Sequence, residues 1–309
     1  MATPKKQPRK KRVRELPTHR SFRLTKKRIR SPKPLPRIRD TIRQSNGLVR
    51  SNKRIFIGVA LIYAALNFVL VQGLGSTFNI VETKQEFESV LGGNAGLGGS
   101  FALFGYLVGS FNGQASEVAG TYQLFFSLLT ILAVIWLTRQ LLSGEKPALR
   151  DGYYKGVYPF VPFLLVMLVI GLQLIPALIG NFLYATVVSQ GLAISVAETI
   201  TWLLLFGLLV VLSLYMLTSS IFALYIVTLP DVRPLQALRS ARELVLHRRL
   251  GVIARLLALP IILLISLLII FIPLIIVAPV LVEPLFLLAT AFVLVYGTVY
   301  TYNLYRGLL

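Results

Sequence analysis

The side chains best placed to do chemistry in this 309-residue chain are cations in close series. Lys5, Lys6, Arg9, Lys10, Lys11, Arg12 and Arg14 form one cluster, and Lys26, Lys27, Arg28 and Arg30 form a second. Such a series neutralises phosphate. Each Lys or Arg close to an anionic lipid surface contributes about 1 kcal/mol, screened beyond a Debye length, and the same series binds nucleic acid by counterion release. Phe22 is the one aromatic residue among them, so base stacking adds little and nucleic-acid contact is blind to sequence. Groups that catalyse are scarce. There is no Cys, and the only two histidines are His19 and His247, the latter beside Arg248-Arg249. Neither a thiolate or histidine metal site nor a hydrolytic triad can be assembled from them. The glycines at 92–99 lack the following Lys-Ser/Thr of a phosphate-binding loop. Asp151 is a lone carboxylate beside Arg150, suited to a cap or an ion pair. No cofactor and no catalysis are expected.

The charge is unevenly spread. The chain carries 32 Lys and Arg against 12 Asp and Glu, a net +20. Residues 1–54 hold 20 of those bases with only Glu15 and Asp40, a net +18. Six prolines fall in residues 1–37, and dense like charge resists compaction, so this stretch reads as a disordered basic arm. Ile38 and Ile42 stand one helical turn apart and suggest a short interfacial helix before residue 54. A secretory signal has a short basic leader and a small-residue cleavage site, neither of which is present. A mitochondrial presequence needs an amphipathic helix, which the prolines spoil.

The rest is nearly neutral and very apolar. Overall 55% of residues are hydrophobic and only 14% charged, against about a quarter in soluble domains, and the mean hydropathy is +0.73. Crossing about 30 Å of hydrocarbon takes roughly 20 apolar residues in a helix. Six stretches qualify: approximately 55–74, 117–138, 158–180, 199–229, 253–281 and 284–305. The segment 101–111 is too short and Gly-interrupted to span, and is placed on the outer face as an interfacial or re-entrant piece. The chain therefore reads as an all-α, polytopic membrane protein, six transmembrane helices over 55–309 behind an arm over 1–54. An outer loop runs over 75–116, and two cytoplasmic elbows over 139–157 and 230–252.

Loop charge fixes the orientation. On the arm's side lie Arg139, Lys146, Arg150 and Lys155, then Arg233, Arg239, Arg242, Arg248 and Arg249, and finally Arg306; Arg255 starts the fifth span. The opposite loops carry Lys84 alone against six glutamates. This positive-inside bias places both termini in the cytoplasm of a bacterial inner membrane. Tyr184 on one side, and Tyr158, Tyr300, Tyr302 and Tyr305 on the other, suit interfacial anchoring.

No ionisable residue lies deep in any span, which argues against a proton-coupled transporter. Asn67, Gln173, Thr218, Ser219 and Ser220 suit hydrogen bonding between helices. Pro176 in the third span and Pro260, Pro273 and Pro279 around the fifth can kink their helices, as in cavities of many transporters. The elbows share a pattern: Lys146-Pro147 before Leu149-Arg150, and Arg233-Pro234 before Leu238-Arg239. Each suits a surface helix, the second capped by Asp231, with Arg239, Arg242, Arg248 and Arg249 available to lipid phosphate.

The run from Thr218 to Ile261, with its Pro elbow, Ala237-Leu238 segment and basic pair Arg248-Arg249, resembles uncharacterised bacterial six-helix integral membrane proteins. These in turn resemble the membrane domain of some glycerophosphoryl diester phosphodiesterases. The resemblance covers about 117–305 and implies the fold. The phosphodiesterase catalytic domain has no counterpart here, so that activity is not implied. Function is expected to be non-enzymatic: a membrane scaffold or tether whose arm contacts anionic lipid headgroups, ribosome or nucleic acid, or an unidentified protein partner. The alternative is a permease or lipid-handling carrier using the Pro-kinked third and fifth spans.

Overall fold

A computed structural model describes residues 35–72, 96–110, 117–192, 195–246 and 248–309. Residues Leu35–Leu309 form one compact unit. The described residues are helical with no strand: α1 (Ile38–Ser51), α2 (Lys53–Leu66, continued by a wider turn over Asn67–Gln72), α3 (Gly96–Ser110), α4 (Glu117–Leu142), α5 (Leu149–Gly156) and α6 (Phe160–Ser189). Then follow α7 (Val196–Ser220), the single turn α8 (Ala223–Ile226), α9 (Pro234–Val245), α10 (Arg249–Val277), a short turn Pro279–Leu281, and α11 (Val282–Leu308).

Six of these helical stretches are long and apolar enough to cross a membrane: Lys53–Val71, Val118–Leu142, Phe160–Ser189, Val196–Ile226, Arg249–Val277 and Pro279–Leu308. The protein is a six-helix, all-α membrane protein. The third span runs to Ser189, well past the expected 180, because no charge, Gly or Pro interrupts it after Asn181 and a helix satisfies its own backbone groups in lipid. Since α4 extends to Leu142 and α10 begins at Arg249, the elbows are shorter than expected.

The last helix is the hub. It packs on α1, α2, α4 and α10, burying Ala291, Val295 and Val299 against Phe56, Val59, Tyr63 and Val134. Lipid is as apolar as these side chains, so close fit and polar contacts, rather than water exclusion, hold such helices together. The Tyr63 hydroxyl meets Ser127 Oγ at 2.9 Å. Asn67 donates back to the Tyr63 carbonyl, Gln173 donates to Ser220 at 2.8 Å, and Ser213 accepts the Ala177 amide at 3.0 Å. That amide follows Pro176, whose ring disturbs the preceding turn. The α6–α7 pair is peripheral: only 6% of the fourth span's apolar window is buried, against 39% for the first. Helix α3 packs Leu103, Phe104 and Leu107 on Phe271, Ile275 and Phe286, at the end of the bundle opposite the elbows.

Three sequence expectations are corrected. The compact unit begins at Leu35, ahead of the first span at Lys53, and takes in the short helix expected before residue 54, which packs in the core instead of lying apart at the interface. Its first helix presents the buried pair Thr41 and Ser45 to α11, where Asn303 donates to Ser45 at 2.9 Å and Tyr296 to Asn46 at 2.8 Å. Arg39, Arg43 and Arg50 occupy the other face. Just before it, the Pro36 carbonyl accepts from Arg255 Nε at 2.7 Å, and Leu35 and Pro36 lie over Gly251 and Gly307, where a Cβ would stand 2.6 and 2.9 Å away.

Second, Tyr300, Tyr302 and Tyr305 are buried, not interfacial. They belong to the main core with Phe222 and Tyr225, whose rings stack on Tyr305 at 6.3 and 6.0 Å. Third, Asp231 does not cap the second elbow. Arg233 occupies the N-cap with Pro234 behind it, and Asp231 is exposed in the left-handed region at φ 60°, which Asp tolerates better than most residues. That elbow's inner face is Ala237–Ala241–Val245, while Leu235 is exposed; small residues let it lie close to α6 and α7.

Candidate functional site

All Lys and Arg among the described residues lie at one end of the spans, the end that carries α1, both elbows and the last turn of α11. The basic end encloses a cleft of about 1190 Å³ between the elbows. Its floor is Leu132, Ile135 and Trp136 of α4, faced by Val227 after α8. Arg139, one turn further along α4, stands at the boundary between that apolar floor and the polar rim. Lys155 of the first elbow and Arg233 of the second are the other lining cations, and Asp231 is the single lining acid.

The elbows sit where they do for local reasons. Gly152 and Gly156 are buried against α4, and a Cβ on Gly156 would come 3.0 Å from the Leu132 carbonyl and 3.1 Å from Ala133 Cα. Glycine is therefore what brings α5 down onto α4. The opposite wall, Thr228–Pro234, is tied to the same helix by Arg139. Its Nη1 donates to the Thr228 carbonyl at 2.9 Å and its Nη2 to the Thr228 hydroxyl at 2.5 Å. Arg139 Nε is buried without a partner. Lys155 Nζ lies 5.7 Å from the Trp136 ring centroid, within cation–π range. At the mouth, Tyr154 is 83% and Tyr158 94% exposed. Tyr153 points inward instead, and burial raises its phenol above the ordinary value, so it stays protonated.

The residues singled out from sequence fare differently. Arg239 and Arg242 are exposed along α9, whereas Arg248 and Arg249 are half-buried at the start of α10. The last two line a separate hollow of about 430 Å³, where the Arg249 guanidinium sits 4.3 Å from the Tyr215 ring centroid. Pro176 lies inside α6, and Pro260 and Pro273 lie inside α10 with both rings exposed on its outer surface. Pro279 opens the turn before α11. The arm cations from Lys5 to Arg30, both histidines, the glycines at 92–95 and most of the 75–116 loop fall outside the described residues. Among the described residues no group of three or more His, Asp or Glu could hold a metal ion.

In the sequence Arg139 and Lys155 stand out only as orientation charges, and Arg233 as one of these and as part of the second elbow's pattern. Nothing in the sequence joins Arg139 to Thr228, which are 89 positions apart. No protein-family model, curated protein or solved structure matches this chain.

Proposed function

We propose that this is a non-enzymatic tether or scaffold of a bacterial inner membrane, with both termini in the cytoplasm. Its basic arm and basic end engage anionic surfaces: lipid headgroups at the membrane, and ribosomal or other nucleic acid within reach of the arm. One observation carries this reading. Every described cation is gathered at a single end, and most are exposed there, so their fields add instead of cancelling. Residues 1–34 bring 14 further Lys and Arg against Glu15 alone.

The permease alternative needs Pro260 and Pro273 beside an internal space. Both face outward on α10, away from the cleft, and give that reading no support.

The test uses the full chain reconstituted in phosphatidylcholine vesicles. Binding of added phosphatidylglycerol vesicles, and separately of ribosomal RNA, is measured against salt. Contacts to 6–10 phosphates imply an affinity loss of about 10³-fold or more between 50 and 200 mM salt. Deleting residues 1–34, which removes 14 of the Lys and Arg, is expected to weaken that capture by about tenfold or more and flatten its salt dependence, the basic end retaining the remainder. Equal capture by the shortened chain contradicts the reading.

A further inference from the structure

We propose that the cleft between the two elbows is a binding site for a single phospholipid, its phosphate held among Arg139, Lys155 and Arg233 and its acyl chains leaving over Trp136 and Pro162. The inference rests on the basic end facing anionic headgroups, and it is independent of the arm.

Charge is the first argument. Three cations line the cleft against the lone carboxylate of Asp231. Arg139 is fixed by Thr228 through one hydrogen on each terminal nitrogen, and its Nε is buried with no acceptor. A half-buried guanidinium in that condition carries an unmet desolvation cost, which the charge of an anion beside its terminal nitrogens offsets. Arg is also the side chain whose planar fork suits phosphate oxygens.

Size and polarity decide between a lipid and a free phosphate. A volume near 1190 Å³ exceeds the roughly 300–1,000 Å³ of sites for drug-sized ligands. A phosphate ion displaces only a few waters of about 30 Å³ each, and would leave most of the cleft empty. The accessible apolar lining, Trp136, Pro159, Pro162 and Leu229, offers nothing to a small hydrophilic anion but suits the glycerol backbone and first methylenes of a lipid. Exposed Tyr154 and Tyr158 at the mouth are the residue type that sits at the headgroup level of a bilayer.

Native mass spectrometry of the full chain in detergent, titrated with phosphatidylglycerol, tests this. One tightly retained lipid per chain is expected, with diacylglycerol, which lacks the phosphate, not retained. Arg139→Gln should weaken retention by about tenfold or more, as expected for losing a charged hydrogen-bonding partner. Because that change also breaks the link to Thr228, the exposed pair Lys155→Gln and Arg233→Gln provides an independent arm, and it too should weaken retention severalfold while leaving the fold intact. Unchanged retention in the Lys155/Arg233 double variant overturns the proposal. So does full competition by inorganic phosphate at equimolar concentration, which would assign the site to a soluble anion. Deleting residues 1–34 should leave this lipid in place. Loss on that deletion alone would move lipid binding to the arm and also overturn the proposal.

Discussion

Replacing Tyr300 by alanine is expected to destabilise the protein by about 3–5 kcal/mol, the range for emptying a large buried aromatic site. Tyr300 is fully buried where α11 crosses α10, and its hydroxyl donates to the Arg255 carbonyl at 3.0 Å. The side chain therefore both fills space and steadies the turn that holds Pro36. Within lipid the loss comes from vacated packing rather than exposure to water. Tyr300→Phe separates the two effects, removing only the hydrogen bond at about 1 kcal/mol. Tyr158→Ala, at a side chain 94% exposed, should fall within about 0.5 kcal/mol of zero. The midpoint of unfolding in a dodecyl sulfate titration measures all three, and equal shifts for Tyr300→Ala and Tyr158→Ala would show that the α11 face is not a core.

Gly156→Ala is expected to cost about 1–3 kcal/mol, the usual range for overpacking, even though alanine is the better helix former. The obstacle is backbone: the added methyl meets the Leu132 carbonyl at 3.0 Å and Ala133 Cα at 3.1 Å, and neither can rotate away. The elbow must lift from α4, widening the cleft from below. Gly171→Ala is the matched control in α6, where the methyl meets nothing within 4 Å. There the helix-propensity gain of about 1 kcal/mol should appear undiminished. The pair should thus shift stability in opposite directions in the same titration. A stabilising Gly156→Ala would mean that the elbow does not touch α4.

These two positions also show what the sequence could and could not convey. The six spans were legible because a long apolar run has one solution in lipid, a closed helix, whatever its neighbours. The orientation signal was legible for the same reason: it is a property of loops taken one at a time. Which face of a span is buried is a different matter. Tyr300, Tyr302 and Tyr305 look like an interfacial belt because Tyr favours both interfaces and packed polar cores, and only the neighbours distinguish them. The first helix was expected, but its packing face was not, for the converse reason. Its buried face is Thr41 and Ser45, small and polar, matched to Asn303 across the interface, while hydropathy looks for apolar stripes. The cleft was least legible of all. Its walls come from three segments far apart in sequence, and the glycine contact and the Arg139–Thr228 link that bring them together exist only in three dimensions.

The account rests on one claim above the others, that α1, both elbows and the end of α11 share the cytoplasmic side of the membrane. A chain without native cysteine allows a direct measurement. Ser143→Cys, Gln190→Cys and Gln236→Cys each place a single thiol at an exposed position, to be labelled by a membrane-impermeant maleimide in intact cells and again after permeabilisation. The account predicts labelling of position 190 from outside in intact cells, and of 143 and 236 only once the membrane is opened. Labelling of 143 or 236 in intact cells would contradict it.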